Sequence, residues 1–214
     1  VLCARRPRLR GALTAAAQPG MNQHLFAWIS LVPLLLAARD KRSRDGFVLG
    51  CIAGCAFHLG LIYWITVSMT VYGGVPWYAA GLLLLLFSLF LSVFAGAPLA
   101  IACGVRSRTG WGICVTFPPL WTACEYVKSW ILTGFPWDNL AHSQFQQPAV
   151  IQIADAAGVY GVSFLIVAVN CAVVGAVQHR GARRLAAVAA AAVLLASALG
   201  YGRFRLSQTG AGAD

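Results

Sequence analysis

The chain alternates long stretches that carry no charge with short basic connections, and this pattern restricts it to the membrane. Residues 46–71 and 76–105 contain 26 and 30 consecutive residues without Lys, Arg, Asp or Glu. A helix needs about 20 apolar residues to cross a bilayer. Charged residues make up 10% of the chain, whereas a soluble domain carries about 25%. We therefore predict an all-α membrane protein.

Six stretches are candidate transmembrane helices. They lie at 25–38, 46–71, 76–105, 110–132, 156–177 and 185–201. The first has only 14 residues and contains Pro33, and the last is short and rich in alanine. Residues 110–132 are apolar apart from Glu125 and Lys128. We predict a polytopic bundle of about six to seven helices, in which a seventh would precede residue 25.

The basic residues predict how these helices are oriented. The connections 39–45, 106–108 and 178–184 contain four, two and three Lys or Arg residues, whereas 72–76 and 133–149 contain none. Cytoplasmic connections carry the excess of positive charge. The basic connections are thus predicted to be cytoplasmic, and the two connections without basic residues and the C-terminal tail extracytoplasmic. The net charge of +10 fits loops near anionic lipid, and no nucleic-acid partner is predicted.

Two groups within the spans have more than one interpretation. Gly46, Gly50 and Gly54 recur every four residues, which favours close helix packing; a lipid or substrate groove along the same face is the alternative. Glu125 and Lys128 are three residues apart on one helix face. Ionisable residues in a membrane helix suggest function, but an ion pair near the helix end, with the lysine reaching outward, is also compatible.

The cysteines and histidines predict no metal centre. Seven cysteines are scattered, their number is odd, and no CxxC spacing occurs, so neither a zinc site nor a disulfide framework is indicated. His58 lies in an apolar span without a second ligand at suitable spacing on its helix, and we expect it to form buried hydrogen bonds. No cofactor is predicted.

The segment 133–149 is the most polar connection between two spans. Phe135 and Trp137 can lie at the level of the lipid headgroups, and Pro136 prevents the preceding helix from continuing. Asp138 and the polar residues after it offer groups that could bind a headgroup or an amine; a purely structural loop is the alternative. The candidate lipid- or substrate-binding residues are Glu125, Lys128, Trp130, Gly134, Phe135, Pro136, Trp137, Asn139, Ser143 and Gln144.

The stretch "PPLWTACEYVKSWILTGFPWDNLAHSQ", followed by "IADAAGVYGVSFLIVAVN", resembles the membrane portion of bacterial apolipoprotein N-acyltransferases. The resemblance covers roughly residues 19–205 and includes "YGGVP" at 72–76. It implies an inner-membrane enzyme that moves an acyl chain from a phospholipid to the N-terminal diacylglyceryl-cysteine of a lipoprotein. In that family a Glu-Lys-Cys triad in a separate nitrilase-like domain carries out the chemistry. The acid at Asp138 departs from the family pattern.

The resemblance divides the chain into three parts. Residues 1–24 would be a basic N-terminus with an eroded first helix, 25–201 the transmembrane domain, and 202–214 the start of a linker to the nitrilase-like domain. No residue of this chain is assigned a catalytic role, because the triad belongs to the other domain. The 214 residues alone are expected to be inactive. A non-enzymatic membrane scaffold or a small-molecule transporter is the alternative function.

Overall fold

The computed structural model describes residues 24–208, which form helices and their connections without a strand. The α-helices are α1 (Val32–Ala38), α2 (Ser43–Leu61), α3 (Trp64–Val67), α4 (Trp77–Thr109), α5 (Ile113–Lys128), α6 (Pro148–Ile151), α7 (Ala154–Gln178) and α8 (Ala182–Gln208). A π-helical turn, Ser68–Tyr72, extends α3, and short 3-10 helices occupy His24–Trp28, Ile131–Thr133 and Leu140–Gln144. Together with the apolar character of the long helices, this confirms the all-α membrane class.

Three of the described helices are long and apolar enough to cross a membrane. They are α4, α7 and α8, whose most apolar 18 residues have mean hydropathies of 2.4, 2.1 and 2.0. A fourth span results if α2 and the segment Trp64–Tyr72, which meet at a bend of 48°, are taken together. By comparison, α5 has only 16 residues. The larger number of six to seven spans stays a prediction, and residues 1–23 lie outside the described part.

The basic connections meet at one end of the bundle. The guanidinium group of Arg106 donates a hydrogen bond of 3.2 Å to the backbone carbonyl of Lys41. A single depression is lined by one residue from each basic connection, namely Arg39, Arg106 and His179. The clustering agrees with the alternation of charge along the sequence, because consecutive helices that run in opposite directions bring every second connection to the same end.

The segment 133–149 lies at the opposite end. The side-chain amide of Gln144 donates to the backbone carbonyl of His24, where the first helical segment begins. At the border of α7, Asp155 accepts a hydrogen bond of 2.6 Å from the Tyr201 hydroxyl near the end of α8. The α8 helix continues to Gln208, so residues 202–208 belong to the bundle. These contacts place the start of the first segment and the end of α8 beside the 133–149 segment.

Helices α2 and α4 approach each other through glycine. A Cβ atom on Gly50 would lie 2.7 Å from both the carbonyl oxygen of Ala95 and the Cα of Gly96. In the reverse direction, a Cβ on Gly96 would lie 2.5 Å from the sulfur of Cys51. Gly46 and Gly54 also face α4, against Cys103 and Ala95 respectively. The absence of side chains brings the two backbones into direct contact, and their dispersion attraction replaces the hydrophobic effect that lipid cannot supply.

Candidate functional site

A tight turn after α5 folds the 133–149 segment back over the end of that helix. Leu132 has φ of 51° and Gly134 has φ of 82°, both in the left-handed region that favours glycine. A Cβ on Gly134 would lie 2.1 Å from the carbonyl oxygen of Ser129. The turn lets the backbone amide of Phe135 donate to the carbonyl of Lys128 at 3.1 Å. Glycine at position 134 is therefore required by the path of the chain.

A histidine and a lysine from different helices share one carboxylate at the centre of this end. Oδ2 of Asp138 lies 2.6 Å from Nε2 of His58, which comes from α2. Oδ1 of Asp138 accepts from the ammonium group of Lys128, at the end of α5. All three side chains are buried. Nδ1 of His58 lies 2.6 Å from the carbonyl oxygen of Gly54, which confirms the expected buried hydrogen bonding of this histidine.

Glu125 holds the next part of the segment. Its Oε1 accepts a hydrogen bond of 3.0 Å from the indole of Trp121 and another of 2.9 Å from the backbone amide of Leu140. The following amide, that of Ala141, donates to the hydroxyl of Ser163 on α7 at 3.1 Å. These bonds satisfy two amides at the start of the 3-10 helix Leu140–Gln144, where a helix has no internal acceptors.

The charge environment stabilises the ionised form of Asp138. Burial by itself would raise the pKa of this carboxyl group, but the hydrogen bond from His58 and the charge of Lys128 more than offset it. The pKa of Asp138 therefore lies below its ordinary value. A lowered carboxyl pKa contributes stability above the ordinary value, and this contribution is lost as the pH falls through the lowered one.

A small cleft lies beside these ionisable groups. One side is apolar and comes from α1, α2 and α4. The ionisable lining residues of the described part are His58, Glu125, Lys128 and Asp138. The apolar lining residues include Leu31, Leu34, Phe57, Leu91 and Phe94. The charged groups thus close one end of an otherwise apolar space inside the bundle.

The aromatic candidates form an outward layer. Trp130 and Trp137 are 71% and 67% exposed. The ring of Trp137 stacks on Trp64 with a centroid distance of 6.4 Å. Phe135 meets Trp137 at 5.8 Å and Phe87 of α4 edge-on at 5.1 Å. The 133–149 segment is therefore fastened to α4 and to the bend after α2 through its aromatic rings, while Pro136 is exposed between them.

The polar candidates face inward. Asn139, Ser143 and Gln144 are at most 1% exposed. The Ser143 hydroxyl donates to the carbonyl of Leu140 at 2.7 Å, and the Gln144 amide donates to Ser143 and to His24. These groups therefore bond the segment internally and to the start of the chain's first helical segment. Glu125 and Lys128 are also buried, so neither reaches a lipid headgroup at the surface.

Several contact residues had little signal in the sequence. Nothing in the sequence distinguishes three of them from ordinary packing residues. They are Ser163, Trp64 and Phe87, which lie in or beside apolar stretches. His58 was singled out, but its partner is 80 positions away along the chain. Asp138 was noted as the acid in the 133–149 segment, but the sequence predicted no partner for it.

Comparison with known proteins decides the family. The family model described as "Apolipoprotein N-acyltransferase N-terminal domain" matches residues 10–172. The chain belongs to this family. It is 38% identical over 206 residues to the apolipoprotein N-acyltransferase of Geobacter metallireducens, an alignment that covers 92% of this chain and 39% of the relative. With that of Chromobacterium violaceum it shares 30% identity over 176 residues, or 80% and 33%.

The matches also define which part of the relatives this chain corresponds to. The chain spans less than two fifths of the length of these two relatives, and the matching model is that of their N-terminal domain. The resemblance seen in the sequence is thereby confirmed. The segment with the tight turn, the aromatic layer and the buried charges lies within the matched residues.

Proposed function

We propose that this chain forms the membrane domain of an enzyme that transfers an acyl chain from a phospholipid to the N-terminal diacylglyceryl-cysteine of lipoproteins. The family supports this activity, because the relatives are named apolipoprotein N-acyltransferases. The same names favour it over a scaffold or a small-molecule transporter. The acyl donor, the lipoprotein acceptor and a location in the bacterial inner membrane follow from the same proposal.

Within this enzyme, the 133–149 segment forms the membrane-side wall of the region where lipid substrates approach. The observation that carries this role is the separation of the segment into an exposed aromatic layer and a buried polar layer. Exposed tryptophan is typical of the membrane–water interface, and Trp137 is held there by Trp64 and Phe135. Glu125 and Lys128 support the wall from beneath, since their partners are Leu140 and Asp138.

Trp137→Ala tests this role in a longer chain that includes the catalytic domain. We expect acyl transfer per folded molecule to fall roughly tenfold or more, because small displacements of a bound substrate carry penalties of that size. Trp111→Ala is the matched control, since Trp111 is 61% exposed in the connection between α4 and α5 at the opposite end. The measurement is the rate of appearance of triacylated lipoprotein, normalised to folded enzyme.

Two results would contradict the role of Trp137. One is an equal decrease for Trp137→Ala and Trp111→Ala, which would indicate a general effect of removing an interfacial tryptophan. The other is a loss of folded protein with unchanged transfer per molecule, which would make Trp137 a structural anchor only. The proposed role requires that acyl transfer per folded molecule decrease in Trp137→Ala and not in Trp111→Ala.

The proposed orientation predicts which positions an impermeant thiol reagent reaches in intact cells. After replacement of the native cysteines, Gln146→Cys should react, whereas Ser107→Cys and Ala182→Cys should react only after the membrane is opened. All three positions are exposed in the structure, so burial within the protein does not protect any of them. Labelling of Ser107→Cys together with protection of Gln146→Cys would invert the orientation.

A further inference from the structure

The depression at the basic end of the bundle collects positive charge from separate parts of the chain. The thiol of Cys103 in α4 lies 3.7 Å from the carbonyl oxygen of Ala38, and Arg106 donates to the carbonyl of Lys41 at 3.2 Å. These two bonds lie on either side of Arg39 and hold its backbone beside the end of α4. Arg39 and Arg106 therefore line the same depression, although their like charges repel each other.

Neither guanidinium group has a negative partner within the described residues. The ion pairs there belong to Asp138 and Asp155, and Asp40, which is exposed where it lines the depression, pairs with neither arginine. Nε of Arg106 is buried and has no hydrogen-bond acceptor among residues 24–208. A buried donor without an acceptor is costly, so this group requires a partner that the described part of the chain does not supply.

The start of α5 adds backbone donors to the same depression. Its capping residue and first turn form part of the lining, namely Gly112, Ile113, Cys114 and Val115. No side chain caps this end of the 16-residue helix, and no acid occurs in its first turn. The amides of a first turn have no intrahelical acceptor and carry partial positive charge. An anion in the depression would be stabilised by these amides as well as by the arginines.

The surroundings of the depression suit the headgroup of a lipid. Part of its lining is apolar and comes from the buried side chains of Leu35, Ile113 and Val174. Trp111, directly before Gly112, is 61% exposed, as is typical of tryptophan at the membrane–water interface. Basic pockets between transmembrane helices bind the headgroups of anionic lipids. A phosphate could thus meet the donors while the glycerol next to it contacts the apolar side chains.

We infer that this depression binds the phosphate of an anionic lipid headgroup through Arg39, Arg106 and the first-turn amides of α5. Guanidinium groups form paired hydrogen bonds with phosphate oxygens, and the negative charge offsets the repulsion between the two arginines. A rotation of the Arg106 guanidinium toward the phosphate would also give Nε an acceptor. The site lies at the end opposite the 133–149 segment, and its test does not depend on acyl transfer.

Native mass spectrometry of the detergent-solubilised chain measures the binding of the first lipid molecule. The probes are dioleoyl phosphatidylglycerol and dioleoyl phosphatidylcholine, which share their acyl chains and a phosphodiester but differ in net charge. At about 0.15 M salt, where distant charges are screened, phosphatidylglycerol should bind about fivefold more tightly or better, the effect of at least one basic residue near an anionic lipid. Equal affinities for the two lipids would overturn the inference.

Arg39→Gln and Arg106→Gln should each weaken the binding of phosphatidylglycerol about fivefold and leave that of phosphatidylcholine unchanged. Arg108→Gln is the matched control, because Arg108 belongs to the same connection as Arg106 but is exposed and does not line the depression. Arg39→Gln removes no hydrogen bond or ion pair to another described residue, so it tests the site even where Arg106→Gln fails to fold. No decrease in Arg39→Gln, or an equal decrease in Arg108→Gln, would refute the site.

Two further measurements define the ligand. Asp40→Asn removes the one acid among the described lining residues and should tighten the binding of phosphatidylglycerol, whereas weaker binding would contradict an anion site. Millimolar inorganic phosphate, compared with chloride at the same ionic strength, should not displace the lipid, because it lacks the apolar part that contacts Leu35 and Val174. Displacement would show that the depression takes free phosphate and would overturn the assignment to a lipid.

Discussion

Lys128→Met is expected to lower the free energy of unfolding by about 3–5 kcal/mol, the cost of removing one partner from a buried ion pair. Lys128 is 6% exposed and bonded to a fully buried carboxylate. Methionine fills a similar volume but cannot donate to Asp138, so this buried carboxylate loses one of its two side-chain partners.

Two comparisons separate the charge from the packing of this side chain. Lys41→Met is the matched control, because Lys41 is exposed at the other end of the bundle, and it should change stability little. Asp138→Asn combined with Lys128→Met removes the carboxylate that would otherwise lose its partner, and the double variant should be less destabilised than Lys128→Met alone. Unfolding by SDS in mixed micelles, followed by circular dichroism, measures each variant. Equal midpoints for Lys128→Met and Lys41→Met would contradict a stabilising role of the buried pair between Lys128 and Asp138.

Gly50→Leu is expected to separate α2 from α4 and to cost about 3 kcal/mol, the upper part of the usual range for overpacking. The clash is with backbone atoms of Ala95 and Gly96, which cannot rotate away as a flexible side chain could. The two helices would have to move apart along their shared face, where Gly46 and Gly54 lie one turn to either side.

Gly81→Leu is the matched control for this substitution. Gly81 also lies in a long apolar helix, but a Cβ there would meet nothing within 4 Å. The midpoint of SDS unfolding and the labelling of Cys103 by an apolar thiol reagent measure the effect. Cys103 is fully buried and lies against Gly46, so Gly50→Leu should expose it. Similar labelling of Cys103 in both variants would show that the glycine contact does not hold the helices together.

The sequence alone predicted the class of the protein and the general layout of its helices. Uncharged stretches such as 76–105 must be helical in lipid, because backbone groups have no other hydrogen-bond partners there. The basic connections indicated which ends belong together, and the structure brings Arg106 and Lys41 into contact. Whether these ends are cytoplasmic stays a prediction. The stretch that contains GFPW at residues 134–137 indicated the family, and the comparisons confirmed it.

The sequence indicated which segment contains the candidate site, but not which way its polar side chains face. Polar residues in a connection between spans usually face water, so Asn139, Ser143 and Gln144 were interpreted as possible binding groups. The turn at Gly134 instead directs them into the bundle, where they are buried. The sequence also did not define where the last helix ends. Its apolar pattern weakens after Tyr201, whereas α8 continues to Gln208.

Local composition determined that this chain enters a membrane as helices, because transfer of a segment into lipid depends on the residues of that segment alone. Tertiary structure decided how the charged residues within and between the helices are used. Lys128 was placed beside Glu125 by helix spacing, but its hydrogen-bond partner is Asp138, which also binds His58 from a helix 80 positions earlier. The pairing of these buried groups is a property of the assembled bundle, since the residues that contact one another come from distant parts of the chain.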